Sequence, residues 1–127
     1  MRSTIGREFK FDAAHFLPEH KGQCRNLHGH TYTGIVELSG EVDEKTGMLV
    51  DFFELKKAIE YILEEVDHKC LNDIYAQTTV EYLSHTFCGV VAQAFPKCDV
   101  MVQIQEGTGG YARASMFVLG GKLHDKC

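Results

Sequence analysis

Cys24, His28 and His30 fall within the stretch Cys24-Arg25-Asn26-Leu27-His28-Gly29-His30, which brings a thiol and a pair of imidazoles close together. Residues two apart in a strand project from one face, whereas in a helix they point well apart. If the segment is extended, the rings of His28 and His30 turn to the same side and can share a metal ion. A further imidazole, His15, ends an earlier strand-like run. Three neutral imidazoles and one open position are the donor set of a catalytic zinc. A metal held this way makes a bound water or substrate oxygen more acidic. Two plainer readings compete: ordinary strand histidines, or a structural zinc with Cys24 as its fourth ligand. Placement of all three rings on an apolar face favours a metal, because unpaired polar groups there are costly.

Other residues extend the chemistry. Cys24 lies on a loop beside the imidazoles, and a nearby cation or metal favours the reactive thiolate. Its plainer role is that of a small packing residue. An acid beside an imidazole, as in Asp67-His68, can fix its tautomer and raise its basicity. Neighbouring side chains rarely bond each other, so a helix terminus with a dipole-favoured histidine is the competing reading. Glu106 ends an otherwise apolar strand parity. A carboxylate accepts two hydrogen bonds and suits the N–H/NH2 edge of a heterocycle; a solvated strand end is the alternative. Thr78 and Thr79 suit a helix cap, and a helix start leaves N–H donors to spare. His20, His85, His124, Cys70, Cys88, Cys98 and Cys127 are read as surface or core residues.

These groups need elements to position them. Ile5 to His15 alternates, with Ile5, Phe9, Phe11, Ala13 and His15 on one parity, which predicts a half-buried strand. Phe16 to Leu27 is a loop marked by Pro18 and Gly22. His28 to Leu38 is a second strand, with His28, His30, Tyr32, Val36 and Leu38 on its apolar side. Antiparallel pairing of the two gathers the imidazoles at one end of the buried face. Asp51 to Glu54 reads as a capping box, followed by Phe52, Leu55, Ile59, Ile62, Leu63 and Val66 at helical spacing. Thr78 to Glu81 reads as a second box, ahead of Val80, Leu83, Phe87, Cys88, Val91 and Phe95, with Pro96 as the stop. Lys69 to Gln77 is a connector. Asp99 to Gln105 and Tyr111 to Leu119 are strands joined by Gly107 to Gly110. The order is strand, strand, helix, helix, strand, strand.

Length and composition bound the answer. The 127 residues fit one domain, 1–127, with 44% hydrophobic and 24% charged residues. A net charge of −5 argues against general nucleic-acid binding, which needs a basic patch. Five cysteines without a CxxC pair point to a reducing cytoplasm rather than a disulfide framework. The first residues lack the apolar core of a signal peptide, and no run reaches the ~18 apolar residues of a membrane span.

Phe11-Asp12-Ala13-Ala14-His15, Cys24-x3-His28-Gly29-His30, Gly47 to Phe52, Asp67 to Asn72, Thr78 to Glu81 and Glu106 occur in a telling order. Together they resemble the 6-pyruvoyl tetrahydropterin synthase / 6-carboxytetrahydropterin synthase family, from about Phe9 to Phe117. The resemblance implies an α+β tunnelling fold (T-fold): a four-stranded antiparallel sheet with two helices between its second and third strands. It also implies trimers stacked into a homohexamer, with active sites at subunit interfaces. His15, His28 and His30 match the zinc ligands and Cys24 the catalytic cysteine. Asp67 and His68 match its activating partners, contributed by a neighbouring subunit. Glu106 matches the pterin anchor, with the Thr78–Thr79 helix start beside it.

The spacer between Cys24 and His28, Arg25-Asn26-Leu27, is similar to that of the bacterial carboxy branch, which serves queuosine biosynthesis; animal-type pyruvoyl synthases carry a longer one. The family often has Thr directly after its late Glu; here Gly107 stands between Glu106 and Thr108. The implied activity is a cytoplasmic, Zn2+-dependent lyase acting on 7,8-dihydroneopterin triphosphate. Its products would be 6-carboxy-5,6,7,8-tetrahydropterin, acetaldehyde and triphosphate. The alternatives are 6-pyruvoyl tetrahydropterin synthase and a non-catalytic pterin- or metal-binding module.

Overall fold

The computed structural model describes residues 1–118 and, for the backbone alone, 119 and 122–125. Its strands are β1 (Arg2–His15), β2 (His28–Glu41), β3 (Lys69–Cys70), β4 (Asp99–Glu106), β5 (Tyr111–Leu119) and β6 (Lys122–Asp125). Its helices are α1 (Phe52–Val66) and α2 (Val80–Ala94). The side chains of His124 and Cys127 lie outside the described residues.

The architecture is α+β, as expected, but the sheet is larger than four strands. Its six strands run in the order β3-β1-β2-β4-β5-β6. The expected antiparallel set is present as β1, β2, β4 and β5. β6 adds to β5, and β3 lies parallel to the edge of β1, opposite Ala13 and Ala14. The His68 amide donates to the Asp12 carbonyl oxygen at 2.6 Å and so lays Lys69 and Cys70 along β1. A two-residue strand is too short to leave a period-2 pattern, so the connector reading missed it.

Each helix starts on a side-chain cap. The Asp51 carboxylate accepts from the Phe53 amide at 2.9 Å. The second cap is Thr79, whose hydroxyl accepts from the Tyr82 amide at 3.3 Å. The expected box beginning at Thr78 is therefore displaced by one residue, because the Thr78 carbonyl is engaged with His15. α2 ends at Ala94, two residues before Pro96, whose ring disfavours helix at the preceding residue.

Both helices pack on one sheet face. Leu55, Ile59, Ile62 and Val66 of α1 are buried, as are Leu83, Phe87, Cys88 and Val91 of α2. Phe52, expected on the buried stripe, is 54% exposed, because it is the first residue of α1 and burial begins one turn later. Phe9, Phe11, Tyr32, Val36 and Leu38 supply the strand side of the core. Gly34 is required there: a Cβ at this position would lie 2.2 Å from Cζ of Phe9, its register partner. The other sheet face is polar, with Thr31 donating to Asp12 and Arg113 donating to Gln103.

Candidate metal centre

The register of β1 and β2 sets the site. His15 lies opposite His28, and the small Ala13 lies opposite His30. The ring centroids are 4.6 Å (His15–His28), 4.8 Å (His28–His30) and 5.3 Å (His15–His30) apart. Two of the rings are fixed from behind. His15 Nδ1 donates to the Thr78 carbonyl at 2.9 Å, and His28 Nδ1 donates to the Asn26 carbonyl at 2.7 Å. An imidazole that donates from Nδ1 keeps the Nε2 lone pair free, the tautomer a metal ligand needs.

The Nε2 atoms of His15, His28 and His30 are all buried without a hydrogen-bond partner. Leaving one such atom unsatisfied costs about 1–3 kcal/mol. Gathering several at one point makes sense as a donor set awaiting a cation, so these residues fit a metal. His15 is fully buried, and burial pulls its pKa below 6.5, aided by the neighbouring imidazoles. The Thr78 carbonyl and the Glu106 charge oppose that shift. The net effect keeps the ring neutral, the form that binds metal.

Glu106 is the fourth group at this point. Its backbone pairs with Tyr32, so its side chain projects to the histidine face. Oε1 is 2.7 Å from His30 Nε2 and 3.9 Å from His15 Nε2. Ligand atoms of His15, His28, His30 and Glu106 all lie within 4.8 Å of one another, and Cys24 is not part of that group. The reading of Cys24 as fourth ligand of a structural zinc is thus not what the fold assembles. A tight turn holds Glu106: the Gly109 amide donates to its carbonyl, its own amide donates to Gly110, and the Gly107 amide donates to Thr31. Gly107 sits at φ +56, a left-handed conformation that favours glycine. The residue inserted between Glu106 and Thr108 therefore makes the turn.

A hollow of about 650 Å³ opens beside Glu106, lined also by His30, Val80, Glu81, Gly107 and Tyr111. The start of α2 borders it through Val80 and Glu81 rather than through Thr78 and Thr79. Thr78 is buried behind His15, and its hydroxyl has no hydrogen-bond partner.

Cys24 lies in the 3-10 turn Gln23–Arg25, half-buried, and lines a separate hollow with Asn26, Leu27 and His28. Asp67 and His68 do bond each other, with His68 Nδ1 3.1 Å from Asp67 Oδ1. The expectation that adjacent residues would not do so fails because His68 is left-handed at φ 60, which folds its ring back. The Asp12 amide donates to Asp67 Oδ1 at 3.0 Å. That bond, with a smaller contribution from His68, lowers the Asp67 pKa. His68 is exposed and lines a third hollow with Asp12, Gly29 and Thr31. Cys24 and His68 thus line different hollows of the protomer.

Some contributors were not singled out in the sequence. Asn72 clamps the chain after His15, accepting from the Phe16 amide and donating to the Phe16 carbonyl, each at 2.9 Å. Tyr32 stacks on Phe11, and its hydroxyl is buried without a partner. Burial and the Glu106 charge raise its pKa. Asn72 lies within one of the motifs; Tyr32 follows His30 on its parity and looked like core.

The sequence model of the 6-pyruvoyl tetrahydropterin synthase family matches residues 4–115. The 6-carboxy-5,6,7,8-tetrahydropterin synthase of Haemophilus influenzae is 45% identical over 73 residues, covering 54% of this chain and 52% of that protein. The dihydroneopterin monophosphate aldolase of Pyrococcus furiosus is 36% identical over 84 residues, covering 66% of this chain and 70% of that protein. The chain spans a little over half the length of the first carboxy-synthase relatives it matches. The solved structure of Caenorhabditis elegans 6-pyruvoyl tetrahydropterin synthase has a TM-score of 0.79 at 28% identity, covering 89% of this chain and 94% of that one.

Proposed function

Given that the chain belongs to the 6-pyruvoyl tetrahydropterin synthase family, we propose that it is a zinc-dependent lyase acting on 7,8-dihydroneopterin triphosphate. One water is consumed, and the products are 6-carboxy-5,6,7,8-tetrahydropterin, acetaldehyde and triphosphate, as needed for queuosine biosynthesis. The observation that carries this reading is the trio of buried Nε2 atoms without hydrogen-bond partners in a chain whose carboxy-synthase relatives reach 45% identity.

His15, His28 and His30 hold the metal, and a bound zinc supplies Lewis acidity to the substrate's side-chain hydroxyls. Glu106, at the mouth of the hollow, accepts hydrogen bonds from the ring edge and positions the side chain over the imidazoles. The start of α2 flanks the ring. The Cys24 thiol takes and returns the proton at carbon. Asp67 and His68 tune it from a neighbouring subunit, which suits the separate hollows of Cys24 and His68 within one protomer. The left-handed backbone at His68 is the kind of local strain that clusters at functional sites. The assembly is a homohexamer of two stacked trimers. The compartment is the cytoplasm, in keeping with Cys24, Cys70, Cys88 and Cys98, none of which forms a disulfide among the described residues.

A second reading, 6-pyruvoyl tetrahydropterin synthase itself, draws on the likeness to the C. elegans structure. Incubation with dihydroneopterin triphosphate, with and without zinc, followed by product mass, separates the two. Loss of two side-chain carbons with release of acetaldehyde supports the carboxy product. Retention of all side-chain carbons supports the pyruvoyl product, and no zinc-dependent conversion rejects both.

A further inference from the structure

We infer that Glu106 has two successive partners: it closes the metal site as a fourth protein ligand while the site is free of substrate, and leaves the metal when a pterin ring arrives. The exchange rests on the pterin reading above; the ligation does not. Structural zinc sites are closed by four protein ligands, and catalytic sites keep one position open. This centre has the parts for both states.

The donor spacing supports ligation. Donor atoms on a tetrahedral zinc with bonds of about 2.1 Å stand about 3.4 Å apart. Glu106 Oε1 lies 2.7 Å from His30 Nε2 and 3.9 Å from His15 Nε2, values on either side of that spacing. His30 Nε2 lies at ion-pair distance from the carboxylate but outside hydrogen-bond geometry, and the carboxylate oxygen stands where the three Nε2 atoms converge. Nδ1 of His15 and His28 already carries the donated proton, which leaves Nε2 of those rings as lone-pair donors.

The means of release is also present. Glu106 is the last residue of β4 and borders the left-handed Gly107. Its side chain is 25% exposed, between the imidazoles on one side and the 650 Å³ hollow on the other. One carboxylate can serve either side but not both with the same oxygen. A ring edge that offers two N–H donors in the hollow competes for it and opens a metal position as it binds. The site therefore opens on ring recognition, which keeps an activated water from forming while substrate is absent.

The test uses the cobalt-loaded protein, whose visible bands report the ligand set, with azide as a probe for an open position and unsubstituted pterin as the ring. In the wild type, azide should leave the spectrum unchanged at concentrations that shift it fully in E106A. E106Q, which keeps the side chain's shape, provides the same comparison if E106A does not fold. Adding pterin to the wild type should restore the azide response, with half-saturation at least tenfold lower. An azide response in the ligand-free wild type as strong as in E106A or E106Q overturns the ligation. Pterin that binds, seen as a change in its own fluorescence, yet leaves azide without effect overturns the exchange. Pterin that does not bind at all contradicts the pterin reading, while the azide contrast still decides the ligation.

Discussion

At the scale of single residues, the proposed chemistry is divided between metal retention and proton movement. Cys24 stands outside the group formed by His15, His28, His30 and Glu106. C24A should therefore bind zinc as the wild type does while kcat falls by about 10²–10⁴-fold, the range for losing a general acid–base group. Metal analysis alongside steady-state rates checks both halves, and undiminished turnover would remove Cys24 from the chemistry. His15 supplies a pH prediction. Its pKa is below 6.5 in the folded state, so as pH falls the unfolded chain takes up this proton first. The neutral ring's stabilising effect is complete above 6.5 and is lost as pH drops towards the lowered folded value. The Tm of metal-free protein should fall over that window, and the fall should be smaller in H15Q. The imidazoles were legible in the sequence because His15, His28 and His30 each share a parity with apolar neighbours. The carbonyl partners Thr78 and Asn26 were not, since any residue type carries a carbonyl and only tertiary contact selects one.

At the scale of elements, β1 and β2 act as one ruler. Their register decides which rings meet, and Gly34 permits the close packing that sets it. G34A would place a methyl against Phe9 and should cost about 1–3 kcal/mol, as overpacked cores do. Denaturant unfolding measures that loss; an unchanged midpoint would mean the strands shift freely. Loss of the α2 cap in T79A should cost about 1 kcal/mol. Strands and helices with long regular patterns were legible, α2 to its stop near Pro96, and β5 was legible to its bounds despite weak alternation. The edge strand β3 was not, because its pairing depends on the Asp12–His68 hydrogen bond. The cap of α2 was displaced from Thr78 to Thr79 for a related reason: both threonines can cap, and His15 decides between them. The Asp67–His68 pair shows the same limit, since the left-handed backbone that unites them leaves no mark in residue spacing.

At the scale of the whole molecule, Cys24 and His68 line different hollows of one protomer, which supports the proposal that a complete site draws on two subunits. Mixed oligomers of C24A and H68A should then recover activity that neither variant has alone. Each half of a site is intact in half the subunits, so about one quarter of wild-type turnover is expected for random mixing in a symmetric assembly. No recovery would place the whole site within one protomer. The centre on which all of this depends can be seen directly by zinc-edge anomalous diffraction from crystals grown with zinc. One peak per protomer is predicted, ligated by Nε2 of His15, His28 and His30. No peak at that point, or a peak ligated by Cys24 Sγ in place of any of these rings, would contradict it.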